Sequence, residues 1–433
     1  MKKFDIGFPD LDGLNIGVVG LGYVGLPLAV ALTKAYNVFA YDKNPKRIQQ
    51  LQDKFDITLE VSKKELENCE RLIFTGDIDK LKNCRCFIVA VPTPIDKNNL
   101  PDLSPLVSAT ETVGSIIKCG DVVIYESTVF PGCTEEECVP ILERVSNLKF
   151  NNDFFCGYSP ERINPGDKSK KIYDIVKITA GSTERCAVFV DSLYKNIITA
   201  GTFKAADIRT AEAAKVIENT QRDLNIAFIN ELSIICEKLG LNTNNVLEAA
   251  STKWNFIQFR PGLVGGHCIG VDPYYLTFKS QELGHVPSTI LAGRAVNDGM
   301  AKFIGDKVIR ELNARGLSGA GSQILILGLT FKENCPDTRN SKVFDLIDNF
   351  LANGCSVSVW DPFITSWDLG VDHEYSIISE PKVREYDVIL CAVAHDIFTT
   401  LPKSQIVSWK RTDCSFIYDV KSCLPSDVVD FQL

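Results

Sequence analysis

The chain has 433 residues, too many for one ordinary hydrophobic core, so two or three domains are expected. Its 45% hydrophobic and 23% charged residues are typical of a globular protein. The net charge of -9 excludes a general nucleic-acid binder, whose phosphate contacts rest on basic patches. The cysteines are scattered, without a CxxC pair or a secretion-signal pattern, and His267, His285, His373 and His395 fall at no zinc-ligand spacing. Inert thiols in a reducing cytoplasm, and no metal, are the expectation. The longest uncharged apolar run, Ile16 to Leu32, is short for a bilayer and is broken by glycines and a proline, which excludes a membrane span.

In chain order, Asn15 to Gly20 reads as a buried strand and runs directly into Gly20-Leu21-Gly22-Tyr23-Val24-Gly25. This is a GxGxxG turn between a strand and a helix, the latter spanning Val24 to Lys34. Gly20 makes the tight turn, Gly22 admits a pyrophosphate to the backbone, and Gly25 lets helix and strand pack closely. The helix N-terminus, carrying Tyr23 and Val24, then faces the phosphates. A second strand, Asn37 to Tyr41, ends at Asp42, which accepts a hydrogen bond from a ribose 2′-hydroxyl and repels a 2′-phosphate. NAD is therefore favoured over NADP; Arg47 nearby softens the preference, because it can reach a phosphate. Strands Cys86 to Val91 and Asp121 to Tyr125 lead into loops that carry Thr93 and Thr128, at the strand ends where doubly wound sheets bind ligands. A strand over Phe154 to Tyr158 leads into Ser159-Pro160-Glu161-Arg162-Ile163-Asn164-Pro165-Gly166. There Glu161 is either a general base or a solvated turn carboxylate.

From Asp207 to Leu239 the pattern is a long helix ended by Gly240. Lys215 and Asn219 lie four apart and share a face, with Arg222 and Asp223 one turn further. Ala213, Ile217, Leu224, Phe228 and Ile235 recur on another side. A lysine on a helix is usually solvated, but Asn225, Asn230 and Glu231 add polarity that a simple core helix does not need. A helix of this length between two α/β halves suits a homodimer contact. Further on, Gly265-Gly266-His267-Cys268-Ile269-Gly270-Val271-Asp272-Pro273 sets a thiol beside an imidazole among glycines, with a carboxylate four residues later. If that segment is extended, His267 points away from Cys268 and is not its activating base. A second strand–helix–strand–Asp unit follows: Gln323 to Gly328, Val343 to Asn353 with Gly354, and Ser356 to Trp360 ending at Asp361. Strands Asp387 to Val393 and Phe416 to Asp419 complete a small parallel sheet. Its first loop lacks GxGxxG and carries Lys332 and Arg339, which suits an anionic ligand other than a second dinucleotide. The expected fold is α/β, with two Rossmann-like doubly wound parallel-sheet domains joined by a long central helix. Boundaries are expected at 1–206 for the NAD-binding domain, 207–312 for a helical dimerisation domain carrying Cys268, and 313–433 for the second Rossmann-like domain.

These residues resemble the UDP-glucose/GDP-mannose dehydrogenase family nearly end to end. The shared motifs are Gly20 to Pro27, Val91 to Pro94, Ser127-Thr128, Ser159-Pro160-Glu161, Ala211-Glu212 with Lys215 and Asn219, Gly265 to Cys268 with Asp272, and Phe331-Lys332 with Asp337 and Arg339. The resemblance implies a cytoplasmic enzyme that oxidises a UDP-sugar C6 alcohol to a carboxylate in two NAD-dependent steps, for surface polysaccharide biosynthesis. His267 before the cysteine, and Pro165 where UDP-glucose enzymes have a second glutamate, point to the UDP-N-acetylhexosamine branch, with UDP-GlcNAc or UDP-GalNAc as substrate. The C2 and C4 configuration of the sugar stays open. Oxidising an aldehyde to an acid requires a nucleophile to add first, and a thiolate does so through a thiohemiacetal and a thioester. That role falls to Cys268, with Lys215 and Asn219 stabilising the oxyanion, Asp272 positioning water and Glu161 acting as base. By the same resemblance Glu161, Arg162, Lys215, Asn219, Gly266 and Lys332 contact the substrate. Arg339 contacts the cofactor end, and Arg260 reaches the nucleotide sugar of a neighbouring subunit, so a homodimer or higher homo-oligomer is implied.

Overall fold

The computed structural model describes residues 7–163, 170–365 and 373–433. Asn164, Pro165 and Gly166, singled out above, lie outside the described residues. The chain divides into two compact units, Met1–Glu218 with Tyr274–Val286, and Asn219–Pro273 with Pro287–Leu433. The 207–312 stretch is thus shared out between two bodies.

In the first unit eight strands form one sheet: β1 (Asn15–Val19), β2 (Asn37–Tyr41), β3 (Leu72–Thr75), β4 (Cys86–Val89), β5 (Val122–Tyr125), β6 (Phe155–Tyr158), β7 (Lys177–Gly181) and β8 (Thr202–Lys204). Their order is β3-β2-β1-β4-β5-β6-β7-β8. All neighbours are parallel except β6 and β7, where Tyr158 opposes Ala180 in antiparallel register. The inner strands are apolar without alternation, because both faces are covered: Cys86 to Val89 and Val122 to Tyr125 are all buried. The order reverses between β1 and β4, so the carboxyl ends of those strands diverge into a crevice, where doubly wound sheets bind ligands.

The second unit repeats this plan with β9 (Gln323–Leu327), β10 (Ser356–Trp360), β11 (Ser376–Ile377), β12 (Val388–Cys391), β13 (Phe416–Asp419) and β14 (Phe431–Gln432). Its order, β11-β10-β9-β12-β13-β14, is wholly parallel and reverses between β9 and β12. The expected α/β class, with two doubly wound sheets and a long central helix, is what the structure contains.

The long helix spans Ile208–Leu239, and Gly240 follows it with φ of 69°, the left-handed conformation that ends helices. In the second unit it packs on helix Ser288–Ala314, where a side chain at Gly293 would collide with Leu224 Cδ2 at 2.5 Å. Asp223, fully buried, receives Arg294 Nη1 at 2.6 Å and Asn297 Nδ2 at 2.7 Å. Asn297 Oδ1 accepts from Asn230 Nδ2, and Asn230 Oδ1 accepts from the Gly262 amide, both at 2.8 Å. The polarity at Asn230 therefore carries the helix's hold on the segment that follows Arg260. Arg222 and Asp223, adjacent in sequence, separate completely: the arginine is exposed and the carboxylate buried. Among the described residues no helix is long and apolar enough to cross a membrane.

Asp223→Ala removes one carboxylate from the buried Arg294, which also pairs with Asp298. Removing one member of a buried pair costs about 3 kcal/mol, so the urea midpoint of the purified protein is expected to fall accordingly.

Candidate functional site

The GxGxxG turn has the shape its residues call for. Gly20 has φ of 94°, and a Cβ there would meet the Ala90 carbonyl oxygen at 2.7 Å, since β1 and β4 exit side by side. At Gly25 a Cβ would overlap the Gly20 carbonyl oxygen at 1.8 Å. Around Gly22 nothing lies within 4 Å, which leaves its backbone open to a ligand. Helix Gly25–Leu32 starts here, with Val24 as its cap residue and no side-chain cap bond. Asp42 Oδ2 accepts from the Leu21 amide at 2.9 Å and Oδ1 from Asn44 N at 2.9 Å, which fixes the carboxylate at the mouth of the turn.

Arg47 is buried. Its Nε donates to the Leu21 carbonyl at 2.8 Å and its Nη2 to Asp56 at 2.8 Å. It therefore braces the turn from within, and its Nη1 is a buried donor with no hydrogen-bond partner. Open backbone at Gly22, a fixed acceptor at Asp42 and an unsatisfied guanidinium nitrogen together fit a dinucleotide. The loops after β4 and β5 are laced together beside this turn. Thr93 Oγ1 donates to the Thr128 carbonyl at 2.6 Å, and Ser127 Oγ to that of Val91 at 2.6 Å. Glu212, buried on the long helix, accepts from the Gly132 and Thr134 amides at 2.6 and 2.9 Å and so holds the loop beyond Thr128.

Lys215, on a helix where a lysine is ordinarily solvated, is buried at 7% exposure, and Asn219 is buried at 8%. Glu161 is no solvated turn carboxylate either. It is buried, its Oε1 accepts from the Arg162 and Ile163 amides at 2.7 Å, and Lys177 Nζ lies 3.0 Å from its Oε2. Arg162 is tied within the same unit to Glu218 at 2.8 Å and to the Val176 carbonyl at 2.8 Å.

In the second unit the thiol loop is not extended. Residues 266–271 form consecutive turns, and the Cys268 carbonyl accepts from the Val271 and Asp272 amides at 3.1 and 2.8 Å, leading into helix Asp272–Glu282. Cys268 is half-buried, and Asp272, closing the turn, is buried and accepts from Asn219 Nδ2 at 2.6 Å. Glycine is required by contact: a Cβ at Gly265 would meet the Asn340 carbonyl oxygen at 2.3 Å, and one at Gly266 (φ 83°) the Phe331 ring at 2.5 Å. His267 Nε2 lies 3.1 Å from Asp337 Oδ2 and 3.1 Å from Arg339 Nη2, with its ring against Phe331. The imidazole thus joins the thiol loop to the Phe331–Arg339 loop, for a reason other than the extended conformation expected. Burial works to raise the Asp337 carboxyl, but the His267 and Arg339 bonds outweigh it and hold the group well below the usual carboxylate range. Arg339 grips Asp337 through Nε at 3.0 Å and Nη2 at 2.6 Å.

Beside this loop lies a cavity lined by Gly265, Phe331, Lys332, Lys342, Val393 and Lys421, whose cationic lining suits an anionic ligand. The turn after β9 matches the turn after β1: Gly328 has φ of 91°, and a Cβ there would meet Val393 Cβ at 2.5 Å. Asp361 Oδ2 accepts from the Leu329 and Thr330 amides at 2.7 and 3.1 Å. Sequence reasoning passed over His395, which is fully buried. Its Nδ1 accepts from the Asn334 amide at 2.9 Å, so the ring hydrogen sits on Nε2 and is donated to Asp361 at 3.1 Å. Arg260 is exposed and reaches Asn244 Oδ1 at 2.8 Å. No disulfide joins any of the fifteen cysteines. Cys391 and Cys423, distant in sequence, meet with sulfurs 3.5 Å apart, next to Asp419. The Asp419 oxygens already cap the Lys421 and Leu424 amides, so this set serves the turn after β13.

Three domain models cover most of the chain. That of the UDP-glucose/GDP-mannose dehydrogenase family NAD binding domain matches residues 14–198, that of the central domain 209–299, and that of the UDP binding domain 325–426. The chain is 51% identical to UDP-N-acetyl-D-glucosamine 6-dehydrogenase of Salmonella typhi, over 98% of this chain and 99% of the relative. It is 52% identical to the Pseudomonas aeruginosa protein of the same name, over 97% and 99%. Among solved structures it is similar to the UDP-D-ManNAc dehydrogenase of Pyrococcus horikoshii, with a TM-score of 0.85, 28% identity, and coverage of 97% of this chain and 98% of that one.

Gly25→Ala forces a Cβ against the Gly20 carbonyl oxygen, an overpacking of about 1–3 kcal/mol. NAD affinity, read by fluorescence titration, is expected to weaken about tenfold or more, since 1.4 kcal/mol is a factor of ten.

Proposed function

The chain belongs to the UDP-glucose/GDP-mannose dehydrogenase family, and from that premise we propose that it oxidises UDP-N-acetyl-D-glucosamine at C6 to the uronate. The chain is an NAD-dependent UDP-sugar dehydrogenase; the choice of sugar rests on the two relatives of that name, each about half identical over nearly the whole length. One observation carries the four-electron reading: a half-buried thiol, Cys268, in a turn closed by Asp272, which Asn219 bonds at 2.6 Å. An enzyme that stops at a two-electron oxidation has no use for that thiol.

Gly20, Gly22, Tyr23, Val24, Asp42, Arg47, Thr93 and Thr128 hold the dinucleotide, with Arg339 at its other end. Bound NAD supplies a hydride acceptor, twice for each sugar. Lys332, with its lysine-lined cavity, binds the diphosphate end of the sugar nucleotide, and Gly266, in the loop packed against Phe331, meets the substrate too. Arg162 and Glu161 line the sugar. Once the C6 alcohol has become an aldehyde, the Cys268 thiolate adds to it: a C–S bond forms and the carbonyl electron pair moves to oxygen. Lys215 and Asn219 donate to that oxygen. The second oxidation leaves a thioester, and water, positioned by Asp272, adds to its carbonyl carbon. Glu161 takes the water's proton, the C–S bond breaks, and the thiolate is regenerated. A cytoplasmic location supplies both NAD and the UDP-sugar, and the product serves surface polysaccharide synthesis.

The enzyme assembles as a homodimer through the long helix. Ile217, Phe228, Ile235 and Leu239 are exposed and fall within about 60° of one helical face, with Phe228 55% exposed. An exposed apolar row of this kind marks an interface. In that assembly the exposed Arg260 reaches the partner's nucleotide sugar.

Two NADH per sugar, with UDP-N-acetyl-D-glucosamine the fastest of a UDP-sugar panel, is the expected result; faster turnover of UDP-glucose would overturn the substrate assignment. Cys268→Ala should abolish uronate formation, and full turnover by that variant removes the thioester route. Lys215→Ala is expected to lower kcat about 10²–10³-fold, as loss of an oxyanion donor does. Phe228→Glu with Ile235→Glu should convert a dimer to a monomer in sedimentation velocity; an unchanged mass would rule out this face.

A further inference from the structure

The first unit contains a buried charged cluster of which the motifs announce only Glu161. Lys177, at the start of β7, is 2% exposed, and its Nζ lies 2.6 Å from Glu126 Oε2 and 3.0 Å from Glu161 Oε2. Glu126, directly after β5, is buried, and its other oxygen accepts from the Tyr194 hydroxyl. Tyr194 belongs to helix Glu184–Lys195 and is also fully buried. Two carboxylates thus share one ammonium in the core. Burial and the charge of Glu161 push the Glu126 carboxyl up to about 7 against the pull of Lys177. Burial opposes the charge on Lys177, but the two carboxylates outweigh it and raise its proton affinity, so the ammonium persists.

Such a cluster is a poor way to gain stability. Desolvating three ionisable groups costs more than their attraction returns, and apolar side chains of similar volume would serve the core at least as well. Its geometry points elsewhere, because one end is Glu161. That carboxylate receives Lys177 on Oε2 and two backbone amides on Oε1, so its position is determined from both sides. We propose that Lys177, itself held by Glu126 and Tyr194, is the positioning residue that fixes Glu161 for hydrolysis of the Cys268 thioester. This rests on Glu161 being the hydrolytic base. Lys177 touches neither water nor sugar; it acts through Glu161. Arg162, next to Glu161 in the chain, is neutralised by Glu218 at 2.8 Å.

The test separates positioning from packing. Lys177→Met removes the ammonium and keeps the bulk. A buried carboxylate without its cation binds a proton more tightly, and the base is active only when deprotonated. The acid limb of the kcat profile is therefore expected to move to higher pH, by about 1–3 units, the shift an adjacent opposite charge produces. Acid-quenched intact mass spectrometry should show acyl-enzyme accumulating in the variant near neutral pH and clearing as the pH rises. Lys177→Arg should bring the limb back towards wild type. If Lys177→Met fails to fold, Lys177→Met with Glu126→Gln removes one charge of each sign and leaves Glu161 alone as the reporter, with the same upward shift expected. A folded variant whose acid limb and acyl-enzyme level match wild type overturns the proposal. So does failure of both variants to fold, which assigns Lys177 to the core alone. Glu161→Gln distinguishes the two layers: wild-type turnover by that variant removes Glu161 as the base, whereas blocked hydrolysis with an unmoved Lys177→Met limb removes only the role of Lys177.

Discussion

In each sheet one carboxylate at the end of the second strand binds the backbone amide of the turn leaving the first. Asp42 does this for Leu21, and Asp361 for Leu329 and Thr330. The turn must stay tight because the neighbouring strand exits against it, so only glycine fits at 20 and 328. Everything that binds at the switch point depends on this arrangement, since it orients the backbone that follows. The two units then diverge. Asp42 is half-buried at the mouth of its turn, with room left for a ribose, whereas Asp361 is buried and holds His395. One construction serves a dinucleotide in the first unit and an internal brace for the Lys332 loop in the second.

Several buried charges of this protein hold loops in place. Glu212 grips the amides beyond Thr128, Asp337 gathers His267 and Arg339, and Asn219 bonds the carboxylate that closes the thiol turn. Buried ion pairs contribute little net stability, but each removes a loop's freedom to drift. Groups that must meet a reacting carbon need positions set to a fraction of an ångström, and charge-assisted hydrogen bonds supply that. The same logic makes His267 a structural link between two loops.

Much of the fold was legible in the residues. Strands β1, β2, β4, β5 and β6, the long helix and its glycine stop, and the repeated strand–helix–strand–Asp unit all follow from local hydrophobic patterning and turn chemistry, whereas β3 was not read. Cys268 was singled out among fifteen cysteines by its glycine-rich setting together with the family motif around it. The antiparallel step at β7 was not legible, because a strand's direction depends on the path of the chain between strands. Nor was the environment of Lys215, since helical periodicity assigns a face but not what covers it. Arg47 shows the limit well: a basic residue after Asp42 is legible in the sequence, but its bonds to Leu21 and Asp56, with Nη1 left over, are set by packing.

By itself the sequence determined the two doubly wound sheets, the dinucleotide turn, the thiol loop and the family, because these depend on short spacings and backbone freedom at single glycines. Only the tertiary structure decided which ionisable groups are buried and whom they meet. Lys177 finds Glu126 across 51 positions, Asn219 finds Asp272 across 53, and Glu212 finds Gly132 across 80. Pairings over such separations are set by how sheets and helices pack, and a local pattern carries no record of them. The physical reason is desolvation: a charge's chemistry depends on what surrounds it in space, and that is known only once the chain has folded.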